Sequence, residues 1–360
     1  MRILAYCSWF RPTLGRDCGE ALLLGLERRG HELAAVVGHA GDAAWEATCR
    51  RRGWRYAPTL PEFAWPGKRW ARILDADADA RKRLEDWLGP LAETRPDVGF
   101  SFFATWIPPA MMRLPAGGFV NFHPAPLPMM RGYFPEDLAI LRGMRSCGGT
   151  IHRVTETIDE GAILAFTRPA KLERWDTPDS LMQRIAEEAL PDIWNAFDRL
   201  AEGKTRERQQ DPAAAGDVGY EALYAYGAVD WARDDHLALH RKFQVFRGQD
   251  HRMLLKADWL RRRWVVWDWE LHAGDYVGEP GEFLGNLAEP ARGGPAPVVI
   301  RTTGGVCCVW ECEPYVKEEG SPEFVDRRRM DPTRVMAPGR RYPNASTVQL
   351  RPWKCVPRKS

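Results

Sequence analysis

The stretch 119–164, FVNFHPAPLPMMRGYFPEDLAILRGMRSCGGTIHRVTETIDEGAIL, contains the polar groups around which the rest of the chain is interpreted. Its apolar opening indicates the end of a strand, in which Asn121 and His123 are two residues apart and therefore project to the same side. An amide donor and an imidazole placed in this way can meet one substrate atom. Taken alone, Asn-x-His is a weak motif, because a loop-capping histidine beside an asparagine in a turn gives the same pattern.

Asp159 is the predicted third member of this site. A neutral imidazole stabilises a developing oxyanion poorly at physiological pH unless a carboxylate or burial sets its proton affinity. Asp159 follows a predicted strand at 150–154 and precedes the apolar run 162–166, so a short acidic turn can return its carboxylate to the site. The three polar side chains are therefore predicted to converge.

The order of motifs in this stretch resembles the signature of a known family. NFHPAPLP at 121–128 is followed by RG at 131–132, GTI at 149–151 and IDEGAIL at 158–164. This order is similar to that of the folate-dependent formyltransferases, whose members act on glycinamide ribonucleotide, on methionyl-tRNA or on amino sugars. The chain departs from the family in having Ala125 after His-Pro, where the family usually has serine.

The resemblance implies functional roles for several residues. Asn121, His123 and Asp159 match the catalytic trio of the family. The pterin ring of 10-formyltetrahydrofolate is expected beyond the carboxyl end of the strand predicted at 97–105, where open α/β sheets bind ligands. Its expected contacts are Trp106, Ile107, Pro108, Val154, Glu156, Ile158 and Glu160. The expected contacts of the acceptor are Arg131, Tyr133 and Phe134. By resemblance, the Leu127–Pro128 bond is cis, and the reaction requires no metal.

Length and charge limit the classes of protein to which the chain can belong. With 360 residues, 44% of them hydrophobic, it is long enough for two domains with their own cores and too apolar to be disordered. Its 51 basic and 49 acidic residues give a formal net charge of +2, which provides no global field for holding a polyanion. A nucleic-acid partner is therefore not favoured.

The cysteines indicate a cytoplasmic protein with reduced thiols. All 8 are scattered without C-x-x-C spacing, and no secretory leader is recognised. The run VCCVWECEP at 306–314 is typical of a strand, in which adjacent cysteines face opposite sides, so a metal site is not expected there. No apolar run approaches the roughly 18 to 20 residues of a membrane span, and no membrane association is expected.

A strand, helix and strand at 1–6, 15–29 and 31–37 open the first predicted domain, 1–204, as in a doubly wound, mostly parallel α/β sheet. The turn at 7–12 lacks G-x-G-x-x-G and does not predict a dinucleotide site. The connection 39–42 is short, whereas the enzymes that act on methionyl-tRNA have a long basic loop at this point. By resemblance, tRNA is therefore not favoured as the acceptor.

A linker is predicted at 205–216, followed by a smaller domain at 217–330 and an irregular tail at 331–360. Short strands and turns alternate in the smaller domain, and their order resembles the OB-like β-barrel appended to methionyl-tRNA formyltransferase and some sugar formyltransferases. The sequence RRRW at 261–264 is a basic and aromatic mixture that nucleic-acid-binding OB folds use. A solvent-facing strand with structural tryptophans is the favoured explanation of this cluster.

The predicted activity is transfer of a formyl group from 10-formyltetrahydrofolate to a primary amine of a small molecule, such as a nucleotide-linked amino sugar, an amino acid or a related metabolite. Asn121 and a protonated His123 would donate hydrogen bonds to the oxygen that gains charge. Asp159 would hold His123 charged and oriented, and could accept or relay the amine proton. Methionyl-tRNA formyltransferase is the first alternative. A formyltetrahydrofolate hydrolase and a non-catalytic folate-binding protein are the others.

Overall fold

The chain is described by a computed structural model over residues 1–7, 12–60, 74, 77–103, 107–214, 216–218, 223, 226, 228–246, 255–259, 262–286 and 297–314. It divides into two compact units, 1–139 with 144–218 and 140–143 with 219–360. The predicted tail, 331–360, lies outside the described residues.

A seven-stranded sheet forms the centre of the first unit, with the strand order β3-β2-β1-β4-β5-β8-β9. The five strands β3, β2, β1, β4 and β5 run parallel to one another. β8 is antiparallel to β5, and β9 is antiparallel to β8. Their bounds are β1 Arg2–Cys7, β2 Glu32–Gly38, β3 Tyr56–Pro58, β4 Val98–Phe102, β5 Phe119–His123, β8 Thr150–Arg153 and β9 Ile163–Phe166. The predicted doubly wound, mostly parallel sheet is confirmed.

Among the described residues, helices connect these strands or follow them, and the last helix belongs to the second unit. Their bounds are α1 Pro12–Arg28, α2 Ala43–Arg52, α3 Ala78–Ala92, α4 Pro109–Met112, α5 Pro135–Leu141, α6 Pro178–Ala201 and α7 His236–Phe246. The predicted helix signal at Thr177 is a complete capping box, in which Thr177 and Ser180 exchange side-chain and backbone hydrogen bonds. The helix α6 then buries one apolar stripe against the sheet, as its sequence pattern predicts.

Continuous apolar runs explain why the central strands are buried on both faces. Ile3, Leu4, Ala5 and Tyr6 of β1 are all completely inaccessible to solvent. Such runs are typical of a parallel sheet covered by helices on both sides. The polar residues of β5 lie at its carboxyl end, so the sheet itself determines where those side chains emerge.

Two pairs of short strands among the described residues lie outside the main sheet. β6, Met129–Gly132, pairs in parallel with β11, Gly216–Val218, and β7, Ser146–Cys147, pairs with β10, Ala170–Lys171. The predicted linker 205–216 is held to the first unit, because Arg208 and Ile163 exchange backbone hydrogen bonds of 2.8 and 2.9 Å. The chain therefore remains part of the first unit as far as Val218.

The second unit contains a six-stranded sheet in the order β12-β13-β14-β17-β16-β15. The strand bounds are β12 Ala228–Val229, β13 Leu255–Trp259, β14 Arg262–Ala273, β15 Phe283–Asn286, β16 Val298–Thr302 and β17 Gly305–Pro314. The helix α7 contributes Leu239 to an apolar cluster with Trp269 and Ile300. The predicted smaller β domain is confirmed, while its likeness to an OB fold stays a prediction. The side chains of the RRRW cluster lie outside the described part of the chain.

The described residues contain neither a candidate membrane-spanning helix nor a candidate metal-binding group. No helix in this part of the chain combines the length and apolar character that crossing a bilayer requires. Within the same part of the chain, no group of three or more His, Cys, Asp or Glu side chains is arranged to hold a metal ion.

Replacing Gly25 by alanine tests the close packing of α1 on α6. A Cβ at this position would lie 2.1 Å from the ring of Trp194, whose Nε1 donates a hydrogen bond to the carbonyl of Leu22. We expect Gly25→Ala to lower the free energy of unfolding by about 1–3 kcal/mol, because overpacking forces neighbouring groups to move. Urea unfolding followed by tryptophan fluorescence measures the change.

The control is Glu27→Ala, an exposed position two residues further along α1. Alanine has the highest helix propensity and an exposed substitution usually changes the free energy of unfolding by less than about 0.5 kcal/mol, so this variant should be as stable as the parent. Equal losses in both variants would contradict the packing argument.

Candidate active site

Asn121 and His123 lie at the carboxyl end of β5, on the edge where the parallel strands finish. Asn121 pairs with Ser101 of β4 on one side and with His152 of the antiparallel β8 on the other. His123 is buried, with 5% of its surface exposed, whereas Asn121 is partly accessible. The sheet thus presents both side chains where predicted and adds a second imidazole beside them.

Four side chains meet in one continuous polar group. The amide nitrogen of Asn121 lies 3.0 Å from Nε2 of His152. The same nitrogen of His152 lies 3.4 Å from Oδ1 of Asp159, whose Oδ2 lies 3.3 Å from Nδ1 of His123. The predicted convergence of Asn121, His123 and Asp159 is therefore present in the geometry, with His152 between Asn121 and the carboxylate.

The carboxylate of Asp159 is almost fully buried and ionised. It accepts a 2.9 Å hydrogen bond from the backbone N–H of Gly132 and faces both histidines. Burial on its own would raise its pKa, but the neighbouring His123 and the Gly132 hydrogen bond lower the pKa of Asp159 to about 2. It is therefore a fixed negative charge throughout the physiological pH range.

The loop around Asp159 has an unusual backbone. Asp159 adopts a left-handed conformation with φ 55°, which is uncommon for a residue with a side chain. Two residues later, a Cβ added to Gly161 would lie 1.9 Å from the carbonyl oxygen of Arg153, so glycine is required for the loop to fold against β8. These two features aim the Asp159 carboxylate back toward the sheet.

His123 is held by acceptors at both ring nitrogens. Nε2 lies 2.8 Å from the carbonyl oxygen of Met130, and Nδ1 faces Asp159. Because both oxygens only accept hydrogen bonds, this arrangement fits the protonated ring. Burial acts in the opposite direction and, despite the attraction of Asp159, lowers the pKa of His123 below its ordinary value. The lowered pKa favours the neutral ring, and the protonated His123 expected from the sequence stays a prediction.

His152 was not identified from the sequence. Its Nδ1 lies 2.8 Å from the carbonyl oxygen of Arg153 and donates to it, so Nε2 is left to accept from the amide of Asn121. This contact orients the NH2 group of Asn121 and leaves its second hydrogen for another acceptor. The antiparallel register of β5 and β8 brings the two residues together, and no local sequence signal encodes it.

The residues predicted to contact a pterin ring differ in position and exposure. Ile107 and Val154 belong to the same apolar cluster, in which the backbone N–H of Val154 donates a hydrogen bond to Phe119 at the amino end of β5, and Pro108 is buried as the N-cap of α4. Glu156, Ile158 and Glu160 are exposed on the loop that leads to and follows Asp159. Trp106 lies outside the described residues. Their role in binding stays a prediction.

The residues predicted to contact the acceptor differ in their exposure. Arg131 is buried, with 8% of its surface exposed, and its guanidinium is bonded to Gln210 and to Glu160. Phe134 is also buried, and its ring lies 6.2 Å from that of the more accessible Tyr133. The neighbouring Leu127–Pro128 bond is cis, as the resemblance implies. Contact between these side chains and an acceptor stays a prediction.

Known proteins with a similar sequence are formyltransferases. Residues 26–193 match the family model for the formyl transferase domain. Over 295 residues, the chain is 28% identical to methionyl-tRNA formyltransferase of Thermus thermophilus, which covers 80% of this chain and 85% of that protein.

Solved structures give a match in fold. HypX of Aquifex aeolicus superposes with a TM-score of 0.52 and 19% identity, over 88% of this chain and 46% of HypX. A structure of the same protein in complex with tetrahydrofolic acid gives a TM-score of 0.51 at 20% identity. The chain therefore spans slightly less than half the length of HypX.

Removing the charge of Asp159 tests the electrostatic description of His123. Burial lowers the pKa of His123 and the Asp159 carboxylate raises it, so Asp159→Asn should lower the pKa of His123 further. Titration of the His123 ring by NMR measures the shift. Glu160→Gln removes an exposed neighbouring carboxylate that faces Arg131 and should leave the His123 titration unchanged. A His123 pKa that stays constant or rises in Asp159→Asn would contradict this description.

Proposed function

We propose that this chain is a folate-dependent formyltransferase that transfers the formyl group of 10-formyltetrahydrofolate to a primary amine of a small molecule. The observation that supports the proposal most directly is the convergence of Asn121, His123 and Asp159 at the carboxyl end of β5. This group combines an amide, two imidazoles and an ionised carboxylate at the edge of the sheet where open α/β folds bind ligands.

The proposed roles follow from the hydrogen-bonding capacity of each group. Asn121 has one amide hydrogen directed at His152 and a second for the carbonyl oxygen that gains negative charge as the amine adds. Both nitrogens of His123 face acceptors of the chain itself, so a substrate takes the place of the Met130 carbonyl at Nε2. His123, with its lowered pKa, then takes up the proton that the attacking amine releases and gives a proton to the folate nitrogen that departs as its bond to the formyl carbon breaks. Asp159 stabilises the imidazolium that results, since its carboxylate is already ionised and faces Nδ1.

The described residues fit a folate beside this group. Bound 10-formyltetrahydrofolate supplies the one-carbon unit at the oxidation level of a formyl group. Val154 offers a partly accessible apolar side chain, Ile107 belongs to the same apolar cluster, and the exposed residues 155–158 offer hydrogen-bonding groups to a heterocycle. Glu156, Glu160, Pro108 and Trp106 complete the set that we propose for the folate.

A small amine is the proposed acceptor because the connection after β2 is short. Only His39 to Asp42 separate β2 from α2, and these residues are tied down locally. Nδ1 of His39 lies 2.6 Å from the carbonyl of Ala40, and the carbonyl of His39 accepts a hydrogen bond from Tyr56. A segment of this kind has no reach toward a large acceptor. The proposed contacts of the acceptor are Arg131, Tyr133 and Phe134. We also propose that the protein is located in the cytoplasm.

Methionyl-tRNA is the second candidate acceptor. It is favoured by the 28% identity to the Thermus thermophilus enzyme, which extends over 85% of that protein. On this reading the second unit would bind the tRNA. The formal net charge of +2 gives no global attraction for a polyanion and favours the small amine.

The roles of the polar group are tested by three substitutions. Asn121→Ala, His123→Ala and Asp159→Asn should each lower kcat for formyl transfer by about a hundred- to a thousand-fold, the usual effect of losing an oxyanion or proton-transfer group. Combining His123→Ala with Asp159→Asn should cost no more than the worse single change, because the two act as one unit. Wild-type rates in any single variant would remove that residue from the mechanism.

The acceptor is tested by a panel of amines with the same folate donor. Nucleotide-linked amino sugars and amino acids are compared with methionyl-tRNA at increasing salt concentration. We expect a small amine to be formylated at a rate that depends little on salt. Formylation restricted to methionyl-tRNA, with affinity falling steeply as salt rises, would establish the second candidate. Release of formate without any acceptor would identify a hydrolase.

A further inference from the structure

Gln210 lies in the segment whose composition predicts a linker, yet its side chain reaches the polar group described above. Its Nε2 donates hydrogen bonds of 2.7 Å to the backbone carbonyls of Asp159 and Gly161. Its Oε1 accepts from Nε and Nη2 of Arg131 at 3.1 and 2.9 Å. The Gln210 amide therefore uses all of its hydrogen-bonding capacity in joining the loop that contains Asp159 to Arg131 of β6.

The backbone around Gln210 fixes this side chain in place. Two residues earlier, Arg208 exchanges two backbone hydrogen bonds with Ile163, which begins the strand after the Asp159 loop. Six residues later, β11 starts and pairs with β6, the strand that contains Arg131. Gln210 thus bridges the same two elements that its flanking backbone joins.

The two loops that Gln210 joins are those that hold His123 and Asp159. The β6 segment provides the Met130 carbonyl to Nε2 of His123 and the Gly132 N–H to Oδ2 of Asp159. On the other side, Gln210 grips the carbonyl of Asp159 itself, where the backbone has a φ of 55°. Because left-handed backbone in a residue with a side chain persists only when its surroundings enforce it, this grip helps to aim the carboxylate.

We propose that Gln210 is a positioning residue for the reaction: it fixes the Asp159 carboxylate against His123 by clamping the Asp159 loop to Arg131. The inference rests on the proposed formyl transfer for its kinetic consequences and on the geometry alone for its structural consequence. Gln210 does not touch the reacting atoms. It acts through Asp159, and the segment 205–218 is accordingly part of the catalytic unit.

The main test is Gln210→Met, which keeps the length of the side chain and removes all four hydrogen bonds. The matched control is Gln209→Met, at the exposed neighbouring position. We expect kcat to fall about tenfold to a hundredfold in Gln210→Met with little change in KM for the folate, because misplacing a catalytic group by about 1 Å has an effect of this order. Gln209→Met should match the wild type. Wild-type kcat in Gln210→Met overturns the proposal.

Gln210→Glu separates the two arms of the clamp. The carboxylate still accepts from Arg131, but it has no hydrogen to donate and places an oxygen against the carbonyls of Asp159 and Gly161. We expect kcat in Gln210→Glu to fall as far as in Gln210→Met. Wild-type activity in Gln210→Glu would show that Gln210 acts only through Arg131 and would overturn a role in orienting Asp159.

An NMR titration of His123 makes the test independent of any activity. Since the Asp159 carboxylate raises the pKa of His123, loosening it should lower that pKa in Gln210→Met and leave it unchanged in Gln209→Met. If no amine is formylated by the wild type, the proposed function fails while this readout still decides the positioning role. An unchanged His123 pKa in a folded Gln210→Met overturns it. If that variant does not fold, Gln210→Asn, which withdraws the amide by one methylene, is measured in the same way with the same expected direction.

Discussion

The burial of the Asp159 carboxylate is the constraint on which the arrangement of the site depends. An ionised carboxylate removed from water is strongly unfavourable unless charges and hydrogen-bond donors compensate it. Here the compensation comes from the Gly132 N–H and from His123. These partners belong to different elements, so satisfying one charge ties β5 and β6 to the loop that contains Asp159.

This constraint explains the local backbone of the first unit. The Asp159 loop turns sharply, with a left-handed residue at 159 and a glycine at 161 that leaves no room for a Cβ. The β6 segment also has left-handed backbone, at Met130 and Gly132, as it presents a carbonyl to His123 and an N–H to Asp159. Strained backbone of this kind is typical of functional sites, where surrounding contacts over-determine the conformation.

The protonation of His123 follows from two opposing effects of the same location. Burial disfavours the charged ring, while the carboxylate and the Met130 carbonyl favour it. A ring in this balance is suited to gaining and losing a proton during a reaction, which is the property expected of a general base. The fold shared with HypX places such a group at the carboxyl end of the strands, where ligands bind in open α/β sheets.

The sequence by itself determined the architecture and three members of the site. Buried apolar runs predict the parallel strands, Thr177 and Ser180 predict the start of α6, and the ordered motifs single out Asn121, His123 and Asp159. These features are local or depend on the order of motifs along the chain, so the sequence alone is enough to find them. Tertiary structure decided the rest. His152 joins the site through an antiparallel register and Gln210 through a segment whose composition predicts a linker, and both contacts join residues distant along the chain. The proton affinity of His123 depends on how deeply the completed fold buries it, and a one-dimensional pattern does not contain that quantity.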